Sequence, residues 1–344
     1  MRFLSDNTGG ASPEILDAVV AANSGLEYAY GDDRWSRRLD QVFGEFFGAA
    51  VRVFPVATGT AANALSLATV TPPYGAIFTH EEAHVVRDEC GAPELFSGGA
   101  RLIAIAGAQG KLTAEGFTRA LESNPPSVHS VQPAAVTLTQ ASEFGTVYRP
   151  AEITALADIA HARHLAVHMD GARFANALVT LGCHPSETTW RAGVDVLSFG
   201  ATKNGALGAE AIVFFDLKRV ADFEFRRKSA GHLLSKSRYA AAQLLAYIES
   251  GIWRRNAERT NRLAQRIGAA AAERLLAPVQ ANEVFVRLAD EAKRALRSAG
   301  FEFSDWGAER SGTVRFVVSW DQAEEDVNAL CAALAQPNTR ISPR

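Results

Sequence analysis

The sequence predicts an α/β protein, with a large domain on a mostly parallel sheet and a smaller C-terminal α+β domain. Three observations lead there. Short apolar runs alternate with helical stretches as far as about residue 250. After Gly251 the pattern changes, and a long Arg- and Ala-rich helix precedes two strands and two helices. The chain has 344 residues, which is too long for one minimal domain and suits a large domain, residues 1–250, with a small one, residues 251–344.

Ser12-Pro13-Glu14 supplies an N-cap and a proline at the first helical position, and Ile15, Leu16, Val19 and Val20 follow at helical spacing. Val51 to Val56 is a short apolar run. Thr58-Gly59-Thr60 then opens a helical stretch from Ala61 to Ala68, giving a strand, a tight turn and a helix start. Further strands are expected at Ala76–Phe78, Arg101–Ala106, Ala134–Leu138, Leu165–Met169, Val194–Phe199 and Ala211–Phe215. Helices fall between most of them, such as the one after Pro150 with Ile153, Leu156, Ile159 and Ala160 on its apolar side. In the C-terminal part a helix from Trp253 to Leu276 precedes strands Glu283–Leu288 and Thr313–Trp320, with helices Asp290–Ala299 and Glu324–Ala335. The polar tail from Pro337 is expected to fray.

Composition narrows the function classes. Hydrophobic residues make up 47% and charged residues 21%, as in a soluble protein with a sizeable core. A net charge of -3 gives no footprint for nucleic acid or an anionic membrane surface, and no apolar run is long enough to span a bilayer. Cys90, Cys183 and Cys331 are widely spaced and odd in number, without a CxxC pair, which predicts buried thiols in a reducing, cytoplasmic setting.

Three segments carry candidate chemistry, each where an open α/β sheet builds its sites, at the carboxyl ends of strands. Thr58-Gly59-Thr60-Ala61-Ala62-Asn63 offers small residues, helix-start N–H groups and two hydroxyls to a phosphate; an ordinary capped helix reads the same way. In His168-Met169-Asp170-Gly171-Ala172-Arg173 the aspartate falls at a strand end, where a carboxylate keeps a pyridine nitrogen protonated and makes the ring an electron sink; a structural pair with Arg173 is the alternative. Ser198-Phe199-Gly200-Ala201-Thr202-Lys203-Asn204-Gly205 runs from a strand into a Gly-flanked turn bearing one lysine, the residue type Schiff-base chemistry requires.

Together these segments resemble the aspartate-aminotransferase-like enzymes that use pyridoxal 5′-phosphate (PLP), in the order phosphate turn, strand-end aspartate, lysine. More narrowly, the chain resembles the L-threonine aldolase family within the β-eliminating lyases. That resemblance runs from Ser5-Asp6-Asn7-Thr8 through Tyr30-Gly31-Asp32-Asp33, Thr58-Gly59-Thr60, His84, Asp170-Gly171-Ala172-Arg173 and Lys203 to Val314-Arg315. It implies that Lys203 holds PLP as a Schiff base, Asp170 faces the pyridine nitrogen and His84 stacks on the ring. Gly59 and Thr60, flanked by Thr58, would hold the phosphate, and Arg173, Arg315 and Ser5 the substrate carboxylate. Two arginines would favour α-amino acids over simple amines. The implied reaction is retro-aldol cleavage of an L-β-hydroxy-α-amino acid to glycine and an aldehyde, with no metal, in a homotetramer arranged as a dimer of dimers.

The chain departs from the family in two places. A loop that reads roughly Glu-Asn-Thr-His-Asn-Gly in many members is here Gln140-Ala141-Ser142-Glu143-Phe144-Gly145, without histidine. The base for the β-hydroxyl is then His84, Glu143 or a water, and the loop resembles the phenylserine-aldolase branch, so threonine and aryl-serine substrates both stay open. At the partner-subunit phosphate contact Lys228 matches a family lysine, but Ser235 replaces an arginine, with Lys236 beside it; Arg226-Arg227-Lys228 could also be a solvated face.

Other patterns are set aside. His80-Glu81-Glu82-Ala83-His84 fits HExxH literally but follows a strand directly, and His161 and His164 read as a surface feature. Gly200 to Gly205 has phosphate-loop spacing, but Ala206-Leu207 replace the required Lys and Ser/Thr, and there is no GxGxxG. Two other readings keep the fold: β-elimination or transamination, and a PLP-fold protein that binds without turnover. Lys203 and both arginines favour catalysis over the last.

Overall fold

The computed structural model describes residues 1–307 and 312–336, so the tail expected to fray lies outside the described residues. Seven strands form the main sheet: β1 (Arg52–Val56), β2 (Gly75–His80), β3 (Arg101–Ile105), β4 (Gln132–Thr139), β5 (Ala166–Gly171), β6 (Val196–Gly200) and β7 (Glu210–Phe214). Their spatial order is β1-β7-β6-β5-β4-β2-β3. The run from β6 to β3 is parallel, and β7 is antiparallel to both β6 and β1. The carboxyl ends of β1, β2, β4, β5 and β6 therefore share one edge of the sheet with the amino end of β7.

Strand alternation sends the side chains to two cores. Val53, Phe78, Val136, Leu138, Val167, Met169, Leu197 and Val213 pack on one face. Phe54, Ile77, Ala135, Ala166, Val196 and Ile212 pack on the other, with the helix Gly59–Val70. That helix is buried on nearly every side, and Ala61, Ala62, Ala64 and Ala68 let it lie close against the strands. Asp170 has the parity of Ala166 and so faces the same helix.

The second sheet is antiparallel, in the order β8 (Glu283–Arg287), β10 (Thr313–Val317), β9 (Ser304–Trp306). It shares a core with Leu263, Ile267 and, from the start of the chain, Phe3. The helix Ile252–Ala271 joins the two units, with Ile252 in the first core and Leu263 in the second. It stops short of the expected Leu276 because Ala272 takes φ 50, outside the helical region. No helix among the described residues is long and apolar enough to cross a membrane.

Candidate active site

Five strand ends and one helix start surround a cavity of about 260 Å³, lined among others by Thr58, Gly59, Thr60, His84, Asp170 and Lys203. Thr58 caps the helix that follows β1, its hydroxyl accepting from Ala61 N at 3.1 Å. Helix geometry leaves the Gly59 and Thr60 N–H groups without an intrahelical acceptor, and a Cβ placed on Gly59 would meet no atom within 4 Å. A ligand can therefore approach that backbone closely.

Lys203 stands in the turn Thr202–Asn204 after β6. The turn is tied down at its far end, where Asn204 Nδ2 donates to Tyr247 Oη at 2.7 Å and to the Trp253 carbonyl at 2.8 Å. Asn256 Nδ2 donates to the Asn204 carbonyl at 3.0 Å. Gly200 lets the turn pass the end of β5, since a Cβ there would come within 2.6 Å of the Ala172 carbonyl oxygen. The lysine is thus fixed at its base and faces the cavity.

Asp170 is nearly buried at the end of β5. Its carboxylate accepts from Ala172 N at 3.0 Å and from Asn63 Nδ2 at 2.8 Å. The same Asn63 amide donates to Glu89 Oε1 at 2.7 Å, and His84 Nδ1 lies 2.8 Å from that oxygen. A chain His84–Glu89–Asn63–Asp170 results. The Glu89 hydrogen bond lifts the His84 imidazole above its ordinary pKa against the opposing effect of burial, and burial lifts the Glu89 carboxyl. Neither Asn63 nor Glu89 was singled out by sequence reasoning as a partner of Asp170; the five-residue offset from His84 to Glu89 was the only local signal.

Two further carboxyls line the cavity. Glu143 projects from the loop after β4, and burial raises its pKa. The loop is pinned on both sides of it: Ser142 donates to the Gln109 carbonyl at 3.1 Å, and Phe144 packs 5.4 Å from Phe285 and 6.1 Å from Trp306. Glu210 begins β7 and accepts from Thr202 N at 3.3 Å; burial pushes it up to about 7.

The residues expected at a substrate carboxylate do not line the cavity. Arg173 is buried, with Nε and Nη2 donating to Asp6 at 2.8 and 3.1 Å and Nη1 3.1 Å from Glu283 Oε2. Arg315 Nη1 lies 3.5 Å from Glu283 Oε1, and its guanidinium sits over the Trp306 ring at 4.9 Å. Ser5 accepts from Asn7 N at 3.1 Å and caps the turn Asp6–Thr8, so that Asn7 reaches the cavity instead. Lys228 stands away from this chain's cavity, with Nζ 4.6 Å from the Tyr30 ring. His80 ends β2 with Nε2 3.0 Å from the Gly107 carbonyl, and no metal-ligating group of three or more acidic, His or Cys residues occurs among the described residues.

A family model for beta-eliminating lyases matches residues 2–291. The chain belongs to the beta-eliminating lyase family. It is 43% identical over 335 residues to the low specificity L-threonine aldolase of a Pseudomonas species, covering 96% of each chain. With that of Pseudomonas aeruginosa it shares 44% over 333 residues, 96% of this chain and 95% of the relative. This family member is therefore an enzyme, a lyase of the same type as those relatives. Its fold matches the Leishmania major threonine aldolase with a TM-score of 0.91 at 23% identity, covering 97% and 98% of the two chains. A Thermus thermophilus aspartate aminotransferase variant matches with a TM-score of 0.71 at 16% identity, covering 97% and 95%.

The cavity fits PLP. It has an open anion-binding helix start at Gly59 and Thr60, an amine at Lys203, a buried carboxylate at Asp170 and an imidazole at His84. Those groups are the donor and charge set that a phosphate, an aldehyde carbon, a pyridinium nitrogen and an aromatic ring require.

Proposed function

We propose that the protein cleaves L-β-hydroxy-α-amino acids, L-threonine or L-allo-threonine or L-phenylserine, to glycine and an aldehyde by retro-aldol scission of Cα–Cβ, using PLP. The observation that carries this reading is the gathering of Lys203, Asp170 and the Thr58–Thr60 turn on one cavity, in a chain this similar to threonine aldolases. PLP, when bound, supplies the electron sink that makes the Cα–Cβ bond labile. Lys203 would hold the cofactor covalently, Asp170 would keep its ring nitrogen protonated, His84 would face the ring, and Thr58, Gly59 and Thr60 would take the phosphate. Arg173 and Arg315, which lie behind the cavity lining against Asp6 and Glu283, would orient the substrate through its carboxylate. Glu143 removes the β-hydroxyl proton, because burial raises its basicity and it makes no hydrogen bond among the described residues that would compete.

Incubation of the holoenzyme with L-threonine and, separately, L-threo-phenylserine should release glycine with acetaldehyde or benzaldehyde in equal amounts, and the ratio of rates identifies the preferred β-substituent. Keto-acid or ammonia as the main product, without aldehyde, would move the reaction to transamination or β-elimination.

We also propose a homotetramer. Lys228 and Tyr30 lie together away from their own cavity, and Leu26, Tyr28 and Phe225 are exposed. In this reading Lys228 reaches the phosphate in a neighbouring subunit. Light scattering is expected to give four times the chain mass, and a fully active monomer would exclude the shared site.

A further inference from the structure

We infer that Glu283 is a built-in carboxylate seated on the Arg173–Arg315 pair, and that the carboxylate of an incoming amino acid competes with it for that seat. The inference rests on the proposed amino acid substrate. Glu283 opens β8 and is 1% exposed. Its two oxygens lie 3.1 Å from Arg173 Nη1 and 3.5 Å from Arg315 Nη1, so one carboxylate spans two guanidinium groups. That is the arrangement a two-arginine clamp would make with a substrate carboxylate. The fold enforces it. β8 pairs with β10 so that Arg315 stands opposite Phe285, two residues from Glu283, while Arg173 approaches from the end of β5.

The donors left over point the same way. Asp6 takes the Nε and Nη2 edge of Arg173, and Asn282 Nδ2 donates to Asp6 at 2.9 Å and to the Val318 carbonyl at 3.0 Å, which fixes that aspartate. Nη1 is the remaining side of the fork, and Glu283 Oε2 faces it as an ion pair at 3.1 Å, an oxygen that itself has no hydrogen-bond partner among the described residues. On Arg315 the Nε is buried without a hydrogen-bond partner. The pair therefore keeps an unused donor beside a carboxylate that a ligand could replace. Asp6, Glu143 and Glu283 set three carboxyls against two guanidinium groups, and burial pushes both glutamates toward their neutral forms. A further carboxylate is admitted most readily where one of these gives up its contact.

A purely structural counter-ion makes the opposite prediction, since removing it would leave the arginines misplaced and weaken substrate binding. The test titrates holoenzyme with glycine and with ethanolamine, which lacks the carboxylate, following the change in the cofactor's visible absorbance. In Glu283→Gln the dissociation constant for glycine should fall about tenfold, as for loss of one competing charge-assisted contact, with that for ethanolamine changed less than about twofold. Unchanged or weaker glycine binding, or equal weakening of both probes, overturns the inference. Should the glutamine variant fold poorly by circular dichroism, Glu283→Ala with acetate serves instead. Acetate should then compete with glycine at lower concentration than in wild type, and equal competition overturns it. A wild-type holoenzyme that takes up neither probe would sink the amino acid reading itself.

Discussion

Lys203→Ala should abolish aldehyde release from either substrate, by roughly four orders of magnitude or more, the scale seen when a covalent catalytic group is removed. The same variant should lose the visible band that lysine-bound pyridoxal gives, while still binding PLP through the Thr58–Thr60 turn and Asp170. The argument is positional. Lys203 is the lysine on the cavity, and its turn is fixed by Asn204 and Asn256 through hydrogen bonds of 2.7 to 3.0 Å. Its loss therefore removes the amine without dissolving the loop that carried it. Absorbance after borohydride reduction checks this: wild type should retain cofactor through dialysis and the variant should not. If the variant keeps a reducible visible band, another amine carries the cofactor and the assignment fails.

The parts of this site that were legible in sequence are those with local punctuation. Thr58-Gly59-Thr60 follows an apolar strand and opens a helix, and Lys203 sits between Gly200 and Gly205 after another strand; both can be read within a dozen residues. Asp170 was legible for the same reason, as the acidic end of a short, mostly apolar strand that runs straight into Gly171. The antiparallel placement of β7 was not legible, because fully buried strands of either direction read as continuous apolar runs. Three-residue β9 was too short to show a period. The supporting network was hidden for a different reason. Asn63 meets Asp170 across 107 positions and Arg173 meets Asp6 across 167, and nothing local marks such a pair. Glu283 is the sharpest case. The family resemblance implies a substrate-carboxylate role for Arg173 and Arg315, but only the folded chain shows Glu283 lying against both guanidinium groups.

Glu143→Gln should lower kcat for β-hydroxy amino acids by about 10²- to 10⁴-fold, the usual worth of a positioned general base, with glycine binding by the absorbance change nearly intact. Glutamine keeps the shape of the side chain, and the loop stays pinned by Ser142 and Phe144, so geometry and proton transfer are separated. The pH profile distinguishes a base from a spacer. Burial raises the Glu143 carboxyl above its ordinary 4.5, partly offset by Arg173 and Lys203. Only the ionised form accepts a proton, so kcat in wild type should climb as pH rises through that elevated value, and this acid limb should vanish in the variant. Stability runs the other way. A carboxyl whose folded pKa is raised contributes stability that is fully present below 4.5 and is lost as pH rises through the folded value. Glu143→Gln should therefore unfold at a higher temperature than wild type above that pH, and show no such gain below 4.5. A variant that turns over slowly but keeps the wild-type pH limb would assign the proton to another group, with His84 next in line on the same cavity wall. Lower activity together with lower stability at high pH would mean that Glu143 holds the loop and does no proton chemistry.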